Sequence, residues 1–347
     1  MNRFGQRPRP KRSRAGNDSR KMHPRPDPTR NNHGQSTARF NPLPCPQEPS
    51  PPSAKYAPCL DSYPSSPRSV SCEHPPTHRS APLVSEISGA AGPEGVNRWP
   101  RLTEQLALRD RPPGPCIGRQ RWNHLLFAHW VVDARTVQST LPRGLTADTF
   151  GGVAYLGIVP FFMQRVRPAW LPPLPGVSWF LELNVRSYVC DAAGRPGVWF
   201  YSLDCNQPLA VSLARRFFHL PYFHARMSAR RTGETMRFES ERRCSSGAPA
   251  GYTWRSGSPA SLAQPGSLEF FLVERYLLFA ANPAGRLFAG RVHHAPYQIA
   301  TPVVAELSTT PARQAGFDLA GDPVSLLAAR PVDVSIFQLR PADASVD

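Results

Sequence analysis

Lysine is almost absent from this 347-residue chain, and its absence excludes several mechanisms. The only lysines are Lys11, Lys21 and Lys55, so every basic side chain beyond residue 55, histidine apart, is an arginine. Schiff-base enzymes and enzymes that carry pyridoxal phosphate need a lysine amine as the nucleophile. A Walker-type phosphate-binding loop also requires its lysine. We therefore exclude these classes for the remainder of the chain.

Signals for metal sites, disulfides and membrane spans are lacking as well. The seven cysteines form no C-x-x-C pair and no spacing typical of zinc, and their odd number favours free thiols in a reducing cytoplasm. The basic N-terminus runs directly into polar residues, unlike a secretory signal. The best apolar run, Thr149–Gln164, is broken by Gly151, Gly152 and Pro160 and is too short for a membrane helix. We expect a soluble cytoplasmic protein that holds no metal or cofactor.

Proline and aromatic residues divide the chain near residue 115. Residues 1–115 hold 22 of the 41 prolines but only five aromatic residues. Such a segment buries too little apolar surface to fold, so we predict a disordered Pro/Arg/Ser-rich extension over 1–115 and a single β-rich domain over 116–347. Three interpretations of the extension remain: a solvated segment without function, a weak nucleic-acid binder, or a product of translating DNA upstream of the true start.

Within the domain, hairpins dominate the predicted structure. Two apolar runs, Phe180–Cys190 and Val198–Asp204, flank a Gly/Pro-containing loop. Two further hairpins are predicted over residues 222–242 and 276–294, and short helices over 133–141, 208–218 and 267–275. A last helix–strand pair is predicted near 303–307 and 332–339. The predicted fold class is therefore α+β and β-dominated, with an antiparallel curved sheet or barrel and short flanking helices.

Polar side chains alternate with apolar ones along the first of these hairpins. Leu181, Leu183, Val185, Ser187 and Val189 share one face of the strand, and the other face carries Glu182, Asn184, Arg186 and Tyr188. On the second strand we expect Ser202 and Asp204 to face the same side as Glu182 and Arg186. The two interpretations of this face are a solvated surface with an ordinary ion pair and a site for an anionic or carbonyl ligand.

Two further pairs of polar residues are candidates. Glu274 and Arg275 end a short helix and diverge by about 100°, so we expect one charge to point inward and the other outward. His293 and His294 follow each other in a strand and face opposite sides, so at most one serves any single site. We select His293 as the candidate; the competing interpretation is an inert core histidine. No G-x-S-x-G elbow supports a serine hydrolase of that type.

A series of short motifs resembles a bacterial family. The residues that carry the resemblance span about 118–340 and occur in the family's order: Trp122, His129-Trp130, Leu141–Leu145, Glu182–Val189, Gly197–Asp204, Leu220–Tyr222, Gly266–Glu269, Phe271–Tyr276 and His293–Tyr297. This is the YqjF-like family, domain of unknown function 2071. The resemblance implies an acetoacetate-decarboxylase-like fold, in which a β-rich barrel surrounds a cavity. The decarboxylase itself reacts through a lysine, which this domain lacks, so the resemblance does not imply that reaction.

These observations lead to a hypothesis about function. We expect a polar cavity that binds a small anionic or carbonyl compound, with Arg186 holding its oxygen and Asn184, Tyr188, Ser202, Arg275 and His293 around it. Glu182, Asp204 and Glu274 are the candidates for acid–base catalysis in a lysine-independent lyase or hydrolase. The alternatives are a non-catalytic ligand-binding or structural module and weak nucleic-acid binding through the basic extension. A membrane is not an expected partner, and the sequence leaves the oligomeric state open.

Overall fold

A computed structural model describes residues 102–243 and 248–342, in which strands make up most of the regular structure. The helices are α1 (Leu102–Ala107), α2 (Ala134–Thr140), α3 (Pro208–Phe218), α4 (Leu268–Val273) and α5 (Thr310–Gln314). The strands are β1 (Gly118–Asn123), β2 (Leu125–Val132), β3 (Leu145–Ala147), β4 (Ala154–Pro168), β5 (Phe180–Asp191), β6 (Pro196–Cys205), β7 (Tyr222–Thr232), β8 (Thr235–Arg242), β9 (Ala250–Ser256), β10 (Ser261–Leu262), β11 (Leu277–Ala281), β12 (Leu287–His293), β13 (Gln298–Ala300), β14 (Pro302–Leu307), β15 (Ser325–Ala329), β16 (Val332–Ile336) and β17 (Arg340–Pro341). The predicted β-dominated fold is confirmed. Within the described ranges, no helix is long and apolar enough to cross a membrane.

The strand pairings close into a barrel. Around the ring, β1 pairs with β4, β4 with β5, β5 with β6, β6 with β11, β11 with β12, β12 with β16, and β16 with β1 again. All of these pairs are antiparallel except β6–β11. The barrel removes the open edges that an isolated sheet would expose. It also gives every strand one face toward a shared interior.

A second sheet covers one side of the barrel. It consists of β7, β8, β9 and β14, all paired antiparallel. Leu183 and Val185 of β5 belong to a core that also contains Phe238 and Tyr252 of this sheet. Tyr188 of β5 belongs instead to the core of the barrel interior. Strand β5 is therefore buried on both faces, which explains why its polar residues are buried as well.

Three of the predicted helices are present, and a polar side chain caps the N-terminus of each. Asp133 caps α2 by accepting a hydrogen bond from Thr136 N, Gln207 caps α3, and Ser267 caps α4. The segment predicted as a helix near 303–307 is wrong: it is β14, which pairs with β9. Its alternation of Val, Ala, Glu and Leu fits a strand as well as a helix over so short a run.

The described structure begins before the predicted boundary at residue 115. Leu106 of α1 packs against the barrel core, and Arg109 Nε donates to Glu274 Oε2 at 2.9 Å. Arg291 Nη2 donates to the carbonyl oxygen of Leu108. Residues 102–111 thus contact the domain, although composition assigned them to the extension. Residues 1–101 lie outside the described residues.

We expect Gly197→Ala to destabilise the barrel where β6 meets β11. A Cβ atom at residue 197 would lie 2.6 Å from Phe279 Cε2 and 2.9 Å from the Leu277 carbonyl oxygen. Because that oxygen is backbone, relief requires the strands to move, at a cost of about 1–3 kcal/mol. Chemical denaturation measures this loss. Gly118→Ala is the matched control, since its nearest neighbour would be at 3.5 Å; equal losses for both variants would contradict the prediction.

Candidate functional site

The polar face of β5 points into the barrel. Tyr188 belongs to the interior core, and alternation places Glu182, Asn184 and Arg186 on the same face. Glu182 and Asn184 are buried, and Arg186 is half-buried. This face is therefore neither a solvated surface nor an ordinary exposed ion pair.

Arg186 lies against aromatic rings and has no carboxylate partner. Its guanidinium carbon is 5.3 Å from the ring centroid of Phe127 and 5.7 Å from that of Tyr188. Its Nη2 donates to the Leu272 carbonyl oxygen at 3.2 Å, and its buried Nε has no hydrogen-bond partner in the part of the chain that the structure describes. In the same ranges, no Asp or Glu oxygen approaches within 4.0 Å. The positive charge is thus held by aromatic faces and one carbonyl.

Tyr188 is fixed by a buried histidine. Its hydroxyl lies 2.8 Å from His129 Nε2, and both side chains are fully buried. Gly157 pairs with Arg186 on one side and with His129 on the other. A Cβ atom at 157 would lie 3.1 Å from His129 Cδ2 and 3.5 Å from the Tyr188 hydroxyl. Burial, followed by the charge of Arg186, holds the pKa of His129 well below its usual value, so its imidazole is neutral.

Arg275 is a second arginine beside Tyr188, and it has a carboxylate partner. Its guanidinium carbon lies 5.2 Å from the Tyr188 ring centroid and 4.2 Å from that of Phe271. Its Nη1 donates to Asp148 Oδ2 at 2.6 Å, and both side chains are almost fully buried. Its Nε donates to the Phe271 carbonyl oxygen. Arg275 therefore links the end of α4 to Asp148, which directly follows β3, and the carboxylate of Asp148 compensates its charge.

Glu274 is also inside and is fully occupied. Its Oε2 accepts from Arg109 Nε at 2.9 Å and from the Tyr276 hydroxyl at 2.6 Å, and its Oε1 accepts from Tyr297 N at 3.2 Å. The prediction that one of Glu274 and Arg275 points outward is wrong, since both are buried. The irregular backbone after α4 lets consecutive side chains find separate buried partners. With these bonds, Glu274 holds α1, α4 and the 294–297 loop together.

Comparisons with known proteins identify the family of this chain. The family model DUF2071, an uncharacterized conserved protein, matches residues 119–333. The chain belongs to this family. It is 37% identical over 230 residues to the uncharacterized protein YqjF of Bacillus subtilis, covering 66% of this chain and 94% of that protein. The family predicted from the motifs is therefore confirmed.

Two solved structures are similar to the DUF2071 domain at much lower sequence identity. One is an acetoacetate decarboxylase from Legionella pneumophila, 14% identical with a TM-score of 0.47, covering 67% of this chain and 93% of that one. The other is an acetoacetate decarboxylase-like enzyme from Sphingomonas wittichii, 11% identical with a TM-score of 0.46, covering 67% and 95%. A likeness this distant says nothing about function.

Asp204 and Ser202 lie on the wrong face of β6 to join Arg186. Asp204 pairs across the hairpin with Leu183, and Ser202 with Val185, so both face the second sheet. Asp204 Oδ1 accepts from Arg242 Nε at 2.9 Å and from Arg242 Nη2 at 2.7 Å. Burial raises the pKa of Asp204, and the Arg242 guanidinium opposes that shift. The prediction that Ser202 and Asp204 share a face with Glu182 and Arg186 is therefore wrong for the DUF2071 domain.

Glu182 is in the interior but away from Arg186. Its Oε2 accepts from the Tyr222 hydroxyl at 2.8 Å. Burial raises its pKa to about 8, and the Tyr222 hydrogen bond is the force that opposes the rise. Four positions along an extended strand separate Glu182 from Arg186, on the order of 13 Å. The two residues thus occupy different parts of the barrel interior.

Of the two adjacent histidines, His294 is the inner one. His293 is only partly buried, and burial together with Arg111 and Arg291 lowers its pKa. His294 is 2% exposed and lies 5.6 Å from Trp122 and 4.6 Å from Tyr297 between ring centroids. The candidate selected from the sequence is His293, but the structure buries His294 instead and leaves His293 only partly buried.

Two open surface depressions in the described ranges do not have Arg186 among their lining residues. One, of about 320 Å³, is bordered by Asp148, Ser267 and Phe271; the other, of about 350 Å³, by Trp199, His219 and Phe279. Neither depression offers an unpaired charge, since Asp148 is bound to Arg275. The candidate site is therefore placed at Arg186, whose charge has no carboxylate partner among the described residues. Phe271 borders the first depression and packs 5.3 Å from Tyr188, one side chain away from Arg186. Across the described ranges, no cluster of three or more His, Cys, Asp or Glu side chains could hold a metal ion.

Proposed function

We propose that the barrel interior binds a small carboxylate- or carbonyl-bearing compound through Arg186. The observation that carries this proposal is the half-buried guanidinium without a carboxylate partner. Removing a charge from water costs several kcal/mol unless a partner compensates it. A ligand carboxylate would compensate Arg186 with two parallel N–H···O bonds.

The neighbouring arginine supports this assignment. Arg275 touches the same Tyr188 ring but has Asp148 as its partner at 2.6 Å. Asp148 thus compensates the charge of Arg275, whereas no Asp or Glu oxygen of the described residues lies within 4.0 Å of Arg186. If Arg186 only filled space, the protein would be more stable with a methionine at this position, because the cost of burying the charge would not be offset by a partner.

The surroundings of Arg186 favour binding over the predicted acid–base chemistry. Asp204 is bound to Arg242 on the other face, and Glu274 is occupied by Arg109, Tyr276 and the backbone of Tyr297. Glu182 has Tyr222 as its neighbour instead of Arg186. None of these three carboxyl groups stands free beside the guanidinium, so we propose a binding site and assign no reaction to it.

Arg186→Met tests the proposal. We expect binding of small carboxylates such as propionate and lactate to weaken by about 10- to 100-fold, the loss of a charge-assisted hydrogen-bonded pair. Titration calorimetry or ligand-observed NMR measures the affinity. We also expect the variant to unfold at an equal or higher denaturant concentration than the wild type, because an uncompensated charge is removed.

The control is Arg226→Met, since Arg226 is an exposed arginine that pairs with Glu241 at 3.1 Å. This variant should leave binding unchanged. Equal affinity of wild type and Arg186→Met for every carboxylate would overturn the proposal, as would a marked loss of stability in Arg186→Met without any carboxylate binding by the wild type.

A further inference from the structure

His294 presents a bare nitrogen acceptor inside the barrel. Its Nδ1 lies 2.8 Å from the Ala295 carbonyl oxygen, which can only accept, so the ring proton resides on Nδ1. Its Nε2 therefore carries a lone pair, and that atom is buried without a hydrogen-bond partner in the described ranges. Burial lowers the pKa of His294 to about 4; the Ala295 carbonyl and the charge of Glu274 oppose this, and the charges of His293 and Arg186 add to it. The imidazole is neutral at physiological pH.

Aromatic rings fix the orientation of this imidazole. The Tyr276 ring stacks on it at 4.8 Å and 29°, and the Tyr297 and Trp122 rings lie at 4.6 and 5.6 Å. The Tyr276 hydroxyl is committed to Glu274 at 2.6 Å and does not serve Nε2. The buried Trp122 Nε1 also lacks a partner among the described residues. A fixed acceptor and a fixed donor are thus both left unsatisfied, and each costs stability unless a bound molecule satisfies it.

Arg186 and His294 belong to the same part of the interior. The Arg186 guanidinium lies over Phe127, Phe127 meets Tyr297 edge-on at 5.6 Å, and Tyr297 contacts the His294 ring. The positive charge of Arg186 also adds to the lowering of the pKa of His294 and opposes the rise in the pKa of Tyr297. A small molecule at this point would meet a guanidinium donor and an imidazole acceptor together.

We propose, on the basis of the proposed function, that the ligand of the Arg186 site is a small hydroxy acid whose hydroxyl donates to Nε2 of His294. The carboxylate of such a compound pairs with Arg186, and its hydroxyl supplies the hydrogen that the neutral imidazole needs. An ammonium group fits less well: Arg186 is positive, and the nearby Glu274 is already bound to Arg109. A plain carboxylate would leave Nε2 unsatisfied.

The test compares lactate with propionate, which differ only by the hydroxyl. We expect the wild type to bind lactate about 10- to 100-fold more tightly, because propionate leaves a buried acceptor unpaired. His294→Phe keeps an aromatic ring among its neighbours, and in it the preference should fall to within about twofold while propionate binding persists. His293→Phe, the matched control on the adjacent residue, should keep the full preference.

A spectroscopic measurement covers the case in which His294→Phe does not fold. In wild-type protein labelled with ¹⁵N, lactate should shift the Nε2 resonance of His294, and propionate should not. Four results would overturn the inference: equal affinities for lactate and propionate, a preference that survives His294→Phe, an unmoved Nε2 resonance under saturating lactate, or tighter binding of alanine than of lactate.

The two proposals fail in different ways. If lactate and propionate bind the wild type equally and Arg186→Met loses both, the hydroxy-acid inference is wrong and the carboxylate site stands. If neither compound binds the wild type, the proposed function fails and the inference fails with it.

Discussion

Asp204→Ala should lower the free energy of unfolding by about 3–5 kcal/mol, the largest effect we expect from a single substitution. Asp204 and Arg242 are 2% and 6% exposed as side chains, and they lie between the barrel and the second sheet. The guanidinium of Arg242 also stacks on Phe223 at 3.9 Å. Loss of the carboxylate would leave a buried positive charge beside an aromatic ring with no anion to compensate it. Urea denaturation at neutral pH measures the loss.

Two controls separate charge compensation from packing. Glu241→Ala removes the partner of Arg226 in an exposed pair and should cost at most about 1 kcal/mol. The double variant Asp204→Leu/Arg242→Met should recover most of the stability, because no buried charge remains. A single variant Asp204→Ala as stable as wild type, or a double variant as unstable as the single one, would contradict this account.

The strand alternation of β5 could be predicted from the sequence because it depends only on local geometry. Side chains at 182, 184, 186 and 188 share a face in any extended strand, and they do so here. What surrounds that face is not local. Burial of the polar residues results from the closed barrel on one side and the second sheet on the other, and it involves pairings of β5 with β4 and β6.

The face of Asp204 could not be predicted in the same way. Across a hairpin, the residue that shares a face with Glu182 depends on the register, and the register here shifts at a bulge because β6 has an extra residue, Tyr201, between the partners of Val185 and Arg186. A shift of one residue moves a side chain to the opposite face. The loop sequence between β5 and β6 does not specify this bulge, so Asp204 joins Arg242 rather than Arg186.

The histidine and tryptophan of the site escaped prediction for a related reason. Trp122 lies in β1, which the apolar pattern did not mark as a strand, and it meets His294 only through the barrel closure. His294 follows β12 immediately, where strand parity ceases to apply. Trp122 and His294 belong to separate motifs of the family. These motifs identified the family, but they do not indicate that the two residues are in contact.

The interior arginines and carboxyl groups form two kinds of arrangement. Arg275 with Asp148 and Arg109 with Glu274 are compensated pairs that join α1 and α4 to the barrel. Arg186 and Glu182 are single groups, each facing neutral partners. A buried charge without a partner lowers the free energy of unfolding. The effect of each group on that free energy therefore shows whether the group is ionised inside the fold.

Glu182→Gln should therefore change how stability depends on pH. The pKa of Glu182 rises from 4.5 to about 8 in the folded protein, because burial disfavours the carboxylate. Below pH 4.5 the group is protonated in both states and imposes no penalty. As pH rises from 4.5 to 8, the unfolded chain ionises while the folded one retains its proton, so the free energy of unfolding falls; above pH 8 the fall ends.

Relative to Glu182→Gln, the wild type should lose about 2–3 kcal/mol of stability between pH 5 and pH 7. Glutamine keeps an oxygen that can accept from the Tyr222 hydroxyl and does not titrate, so the difference between the two proteins isolates this one carboxyl group. Urea denaturation at both pH values measures it. Glu241→Gln, at an exposed carboxyl, should follow the wild type. Parallel pH profiles for wild type and Glu182→Gln would mean that the carboxyl of Glu182 is ionised inside the barrel, which would require a cation or ligand group beside it.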